Sequence, residues 1–68
     1  MDRVEVLQPF RFQGPDGGDA SVTRGLYWVT QDSFYKRFER CEDRTVVYEV
    51  PLDMYRGLVR GGKLNELG

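Results

Sequence analysis

A single cysteine, Cys41, and no histidine leave this chain without the cross-links that small domains commonly use. One thiol closes no disulfide within a chain, and a structural zinc site needs about four Cys, His or carboxylate ligands. At 68 residues the chain forms one domain, residues 1–68. A domain of this size buries only about 60% of the surface its unfolded form exposes, and its core supplies roughly 3–5 kcal/mol. By elimination, partner subunits are the expected source of any further stabilisation.

Ten Lys and Arg stand against eleven Asp and Glu. This near-neutral balance argues against duplex nucleic acid as a partner, because such binding draws on a basic footprint. No apolar run reaches the ~20 residues that span a bilayer. Met1-Asp2-Arg3-Val4-Glu5 lacks the basic-then-apolar order of a signal peptide. The expectation is a protein made in the cytosol, with no membrane partner.

Val4, Val6, Phe10 and Phe12 share one face at period two, with Glu5 and Arg11 opposite. That spacing predicts a half-buried strand over 4–12, with Pro9 marking an edge or bulge. Residues 13–21, rich in Gly, Pro and Asp, predict an irregular polar loop that orders on contact with a partner. Strand character resumes over 22–29. Thr30 then reads as an N-cap, Val29 and Phe34 as a hydrophobic staple, and Phe34, Phe38 and Cys41 as one helical face, predicting a helix over 31–41. Glu42-Asp43-Arg44 is a charged turn and Thr45–Val50 a strand. Pro51 opens a helix over 52–60 with Tyr55, Leu58 and Val59 inward, which Gly61-Gly62 stops. A short final strand over 63–67 uses Leu64 and Leu67. The fold expected is α+β, a small, twisted, mainly antiparallel sheet with two short helices. The alternative is an SH3-like β-barrel in which 31–41 is a strand or loop.

Tyr27–Phe34 aligns with Tyr48–Tyr55 at an offset of 21 residues, with Tyr, Val and Asp recurring. Shared junction chemistry accounts for this better than a duplicated docking motif does.

Nothing in the chain assembles a catalytic constellation. Histidine is absent, Cys41 has no activating base, and a packing role suits it better than a reactive one. The adjacent pair Glu42-Asp43 reads as a solvated turn. Gly14-Pro15-Asp16-Gly17-Gly18 lacks the Gly-Lys-Ser/Thr ending of a phosphate loop, and Asp16 with Asp19 is too few for a calcium loop. No catalytic residue, cofactor site or metal site is read, and the chain is not expected to be an enzyme. Lys36, Arg37, Arg40 and Arg44 lie near Tyr35 and Phe38, a composition that can grip single-stranded nucleic acid. Asp32, Glu39, Glu42 and Asp43 interleave with them and favour a mixed, solvated helix face.

Nine aromatic residues in so short a chain exceed what one small core absorbs. Neighbours on a strand point to opposite faces, so Tyr27 and Trp28 cannot both enter it. Tyr27, Trp28, Phe34 and Tyr35 are therefore the candidate protein-interface residues.

The opening Val4-Glu5-Val6-Leu7-Gln8-Pro9-Phe10 and the closing strand–proline–helix–glycine segment from Val47 to Lys63 resemble short proteins encoded among the head-morphogenesis genes of tailed bacteriophages. The resemblance covers roughly half the chain. Its central segment, Thr23 to Arg44, is one those proteins usually lack. The resemblance implies a non-catalytic structural role in the virion, in the capsid shell or at the head–tail junction, for a protein made in the host cytoplasm. Capsid or neck proteins would be its partners in a larger assembly. It carries over no functional residue. A regulatory module that binds nucleic acid, or an inhibitor of a host enzyme, is the competing expectation.

Overall fold

A computed structural model describes residues 2–14 and 16–68. Among them it contains strands β1 (Asp2–Val6), β2 (Phe10–Gln13), β3 (Asp19–Val22), β4 (Gly25–Gln31), β5 (Tyr35–Arg40) and β6 (Val47–Pro51), helix α1 (Leu52–Arg60) and strand β7 (Leu64–Glu66). Five strands form one sheet in the order β6-β5-β4-β1-β7, and β2 and β3 form a separate hairpin. Every pairing among these strands is antiparallel. A mainly antiparallel sheet is as expected, but the described residues contain one helix and not two.

The period-two face of the first segment holds, since Val4, Val6, Phe10 and Phe12 are all buried. The segment is nevertheless two strands. Leu7, Gln8 and Pro9 carry the chain out of the sheet into the hairpin, and the missing N–H of Pro9 suits that break. Asp19–Val22 is regular structure, contrary to a loop over 13–21. Phe10 faces Val22 and Phe12 faces Ala20, so the hairpin closes its apolar side over the sheet. The expectation for Pro15, within that loop, lies outside the described residues, as does that for Met1.

The predicted helix over 31–41 is replaced by a turn and β5. Asp32 N–H bonds to Tyr35 C=O (2.8 Å), and Tyr35 and Lys36 continue the register opposite Pro51 and Val50. The helical spacing of Phe34, Phe38 and Cys41 is coincidental: of the three only Phe38 is buried, and Phe34 is 75% exposed. Two flanking strands satisfy the backbone of 35–40 on both sides, and that outweighs a weak local preference. The two Tyr-containing segments consequently diverge, one leading into a hairpin turn and the other into a helix.

Helix α1 spans the range the sequence predicts, with Tyr55 and Leu58 buried and Val59 half-buried. Its end is a Schellman motif: Lys63 N–H reaches Leu58 C=O (2.9 Å) and Gly62 N–H reaches Val59 C=O (3.1 Å), with Gly62 at φ 75°. Leu64 is buried in β7, whereas Leu67 lies beyond the strand and is exposed.

The core is aromatic at its centre. The Phe38 ring lies 6.5 Å from Phe10 in the hairpin, 5.7 Å from Tyr27 in the sheet and 5.9 Å from Tyr55 in the helix. The contacts to Phe10 and Tyr55 are edge-to-face, an arrangement that adds to burial. Phe38→Ala is expected to cost about 3–5 kcal/mol, comparable to the whole stability of such a domain. Urea denaturation should show it largely unfolded, with Phe38→Leu retaining a cooperative transition. Gly57 is exposed in the helix, and a Cβ there meets nothing within 4 Å. Gly57→Ala should raise the urea midpoint, a gain of about 0.5–1 kcal/mol.

Candidate docking surface

Strand alternation decides which candidate residues reach the surface. On β4, Tyr27 and Val29 point inward and Trp28 outward. Tyr27 is fully buried and is therefore a core residue, a correction to its expected place in an interface. Its hydroxyl donates to Thr23 C=O (2.9 Å) and accepts from Arg40 Nη1 (3.0 Å), so it is buried with partners. Arg40 also donates to Thr23 Oγ1. Gly25 sits under this guanidinium at φ 142°, where an added Cβ would stand 3.4 Å from Arg40 Nη2. No sequence signal marks this network, because its members are distant along the chain and share no periodicity.

Trp28 is half-buried on the outer face, with the Arg3 guanidinium 5.7 Å from its ring centroid. Register places Arg3 on one side of it and Glu39 on the other. Leu26, two residues back on the same strand, and Leu67, whose N–H bonds to Arg3 C=O (2.9 Å), are also exposed.

Phe34 and Tyr35 come together with the start of α1. Phe34 is at the tip of the β4–β5 turn, and Tyr35 faces Pro51 in register. Phe34 C=O accepts from Leu52 N–H (3.1 Å), which ties the turn to the helix start. Phe34, Tyr35, Pro51 and Leu52 line a shallow groove, with Asp53 and Arg56 at its rim. Among the described residues Phe34 is the most exposed large hydrophobic side chain, on a turn closed by the Asp32–Tyr35 bond.

The four basic residues do not form one surface. Lys36 and Arg40 lie on the inward side of β5, with Phe38 between them. Lys36 Nζ is 4.9 Å from the Tyr55 ring centroid, and the Arg40 guanidinium is 5.6 Å from that of Tyr27. Each aliphatic stem covers apolar surface while its charged head lies over a ring. Arg37 is exposed on the opposite face, and Arg44, in the β5–β6 connection, pairs with Glu39. In the same connection Asp43 accepts from Thr45 Oγ1 (2.6 Å) and Thr45 N–H (3.1 Å), and these bonds hold its carboxyl below the usual range.

Among the described residues, no group of three or more Cys, Asp or Glu converges as a metal site. Among them, too, no helix is long and apolar enough to cross a membrane. Cys41 is partly exposed at the end of β5, its N–H bonded to Leu26 C=O (3.1 Å). Comparison with protein-family models, curated proteins and solved structures finds no match.

Burial raises the Tyr55 hydroxyl well above its ordinary value of 10.0, and the hydrogen bond it donates to Glu66 Oε2 (2.7 Å) adds to the shift. Stability from this group is fully present below the unfolded value. It is lost as pH climbs towards the higher folded value, because in that window only the unfolded chain releases the proton. Between about pH 9 and about pH 11 the melting temperature of the protein should therefore fall more steeply than that of Tyr55→Phe. Parallel slopes for the two would show that the folded state does not hold the proton.

Proposed function

We propose that this chain is a non-catalytic structural subunit of a phage particle, acting by docking onto neighbouring protein subunits, and that its fold is an SH3-like barrel. The barrel reading is supported by the strand order β6-β5-β4-β1-β7, with a hairpin inserted after β1 and a short helix between the last two strands. A sheet of this kind curls so that a hairpin and a helix close its open sides. In this reading 31–41 supplies a turn and a strand, as the barrel alternative requires.

The observation that carries docking is Phe34. A phenylalanine that is 75% exposed gains nothing from solvent, and this one is held against the start of α1 beside Tyr35, Pro51 and Leu52. Fixed aromatic anchors surrounded by a polar rim are what protein interfaces use. Trp28 and Arg3 offer a second, more polar contact area on the sheet exterior. The placement in a capsid or at a head–tail junction is supported by the resemblance of the two ends of the chain to head-morphogenesis proteins. Protein synthesis in the host cytoplasm and incorporation into the virion follow from that role.

Size-exclusion chromatography with light scattering should show the purified protein entering a complex with capsid or portal subunits of its source. Mass spectrometry should find it in purified virions. Phe34→Ser should leave stability within about 0.5 kcal/mol, since the ring is exposed, while weakening complex formation at least tenfold. A monomer that joins none of these subunits and is missing from virions contradicts the proposal.

A further inference from the structure

Among the described residues, strand β6 ends the five-stranded sheet, and its outer edge carries no strand. Hydrogen bonds from Arg40 N–H to Val46 C=O (3.0 Å) and from Leu52 N–H to Phe34 C=O (3.1 Å) bracket the β5–β6 ladder and fix its phase. In that phase Tyr48 and Val50 direct their backbone groups to β5, while Val47 and Glu49 direct theirs to the open edge. Pro51, two residues further, has no N–H to offer there. The open edge is thus a short one centred on Val47–Glu49.

This edge borders a cleft beneath the β2–β3 hairpin. Phe12, Ala20 and Tyr48 lie along it, with the Phe12 and Tyr48 rings 6.4 Å apart. Asp16, Asp19 and Glu49 occupy its rim. The Asp16 carboxylate accepts from Gly18 N–H (3.0 Å) through Oδ1, holding it at the hairpin tip. Among the described residues, no lysine or arginine contributes to the lining.

We propose that the open edge of β6 accepts an extended basic segment of a partner protein as an added strand. Such addition uses main-chain hydrogen bonds for affinity and alternate side chains for specificity. Opposite Tyr48 a partner residue points inward to the Phe12 and Ala20 floor, and selects a small or β-branched apolar side chain. Opposite Glu49, which has Arg37 as its partner on β5, it points outward, and the open side of the carboxylate selects lysine or arginine. A second copy of this chain fits poorly, since pairing β6 with itself brings Glu49 and the aspartates of the rim against their own kind. The surface is separate from the Phe34 groove, so the proposal stands or falls independently of Phe34 docking.

The test titrates the full isotopically labelled chain with a peptide of four Lys-Val repeats, a Glu-Val counterpart and a Lys-Val peptide N-methylated at alternate residues. Binding of the Lys-Val peptide should shift the amides of Asp19, Ala20, Val47 and Glu49 and slow exchange of the Val47 and Glu49 N–H groups at least tenfold. N-methylation should weaken binding at least tenfold, and Glu49→Lys should reverse the preference towards Glu-Val. Phe34→Ser should bind Lys-Val unchanged. No binding, equal binding of the methylated peptide, or shifts confined to the Phe34–Leu52 groove would overturn the proposal. Particle docking by Phe34→Ser at unaltered strength, with Lys-Val binding as proposed, would count against the Phe34 reading alone.

Discussion

The fold depends on the Phe38 ring. It is the one buried side chain of β5, a strand paired on both sides, and it touches the sheet through Tyr27, the hairpin through Phe10 and the helix through Tyr55. These three parts would otherwise share little, since the hairpin is a separate sheet and the helix is a nine-residue segment. A chain with one cysteine and no histidine needs such a meeting point, because a two-stranded hairpin or a short helix is marginal alone. Large rings suit this position, since each buries more area per ordered residue than an aliphatic side chain.

The residues around Phe38 extend the same logic. Lys36 and Arg40 share its side of β5, and each places its charge over a tyrosine ring at one end of the cluster. The surplus of aromatics and the clustered basic residues are therefore partly one feature. Half of what reads in sequence as a basic strip with rings, Lys36 and Arg40, is in the structure the lining of an aromatic core, while Arg37 and Arg44 lie apart from it. Tyr27 is drawn inside for the same reason, its hydroxyl satisfied by Arg40 and Thr23.

Periodic signals were legible and context-dependent ones were not. The alternation of Val4, Val6, Phe10 and Phe12 identified a core face, and Pro51 with Gly61-Gly62 bounded α1, because these are local effects of backbone geometry. The opposition of Tyr27 and Trp28 also followed from alternation alone. The segment 31–41 misled because Thr30, Phe34, Phe38 and Cys41 satisfy a helical template by chance, while β4 and β6, which decide the matter, are supplied by other parts of the chain. Asp19–Val22 was hidden by its glycine-rich neighbours and is a strand only because β2 folds back on it. Of the candidate site, Phe34 and Tyr35 were visible as surplus rings. The cleft at β6 was not, since an unpaired edge is a property of strand order and no residue type announces it. Glu49 and Pro51 in one short strand were its only local trace, being residues that edges tolerate.

One ring, Phe38, joins sheet, hairpin and helix. Nuclear Overhauser spectroscopy of the protein in solution, with selectively labelled phenylalanine and tyrosine, tests it most directly. Cross-peaks from the Phe38 ring to Phe10, Tyr27 and Tyr55 together are the predicted result. A Phe38 ring showing contacts to Phe34 and Cys41 but none to Phe10 or Tyr55 would contradict the account, and would return the segment to a helix.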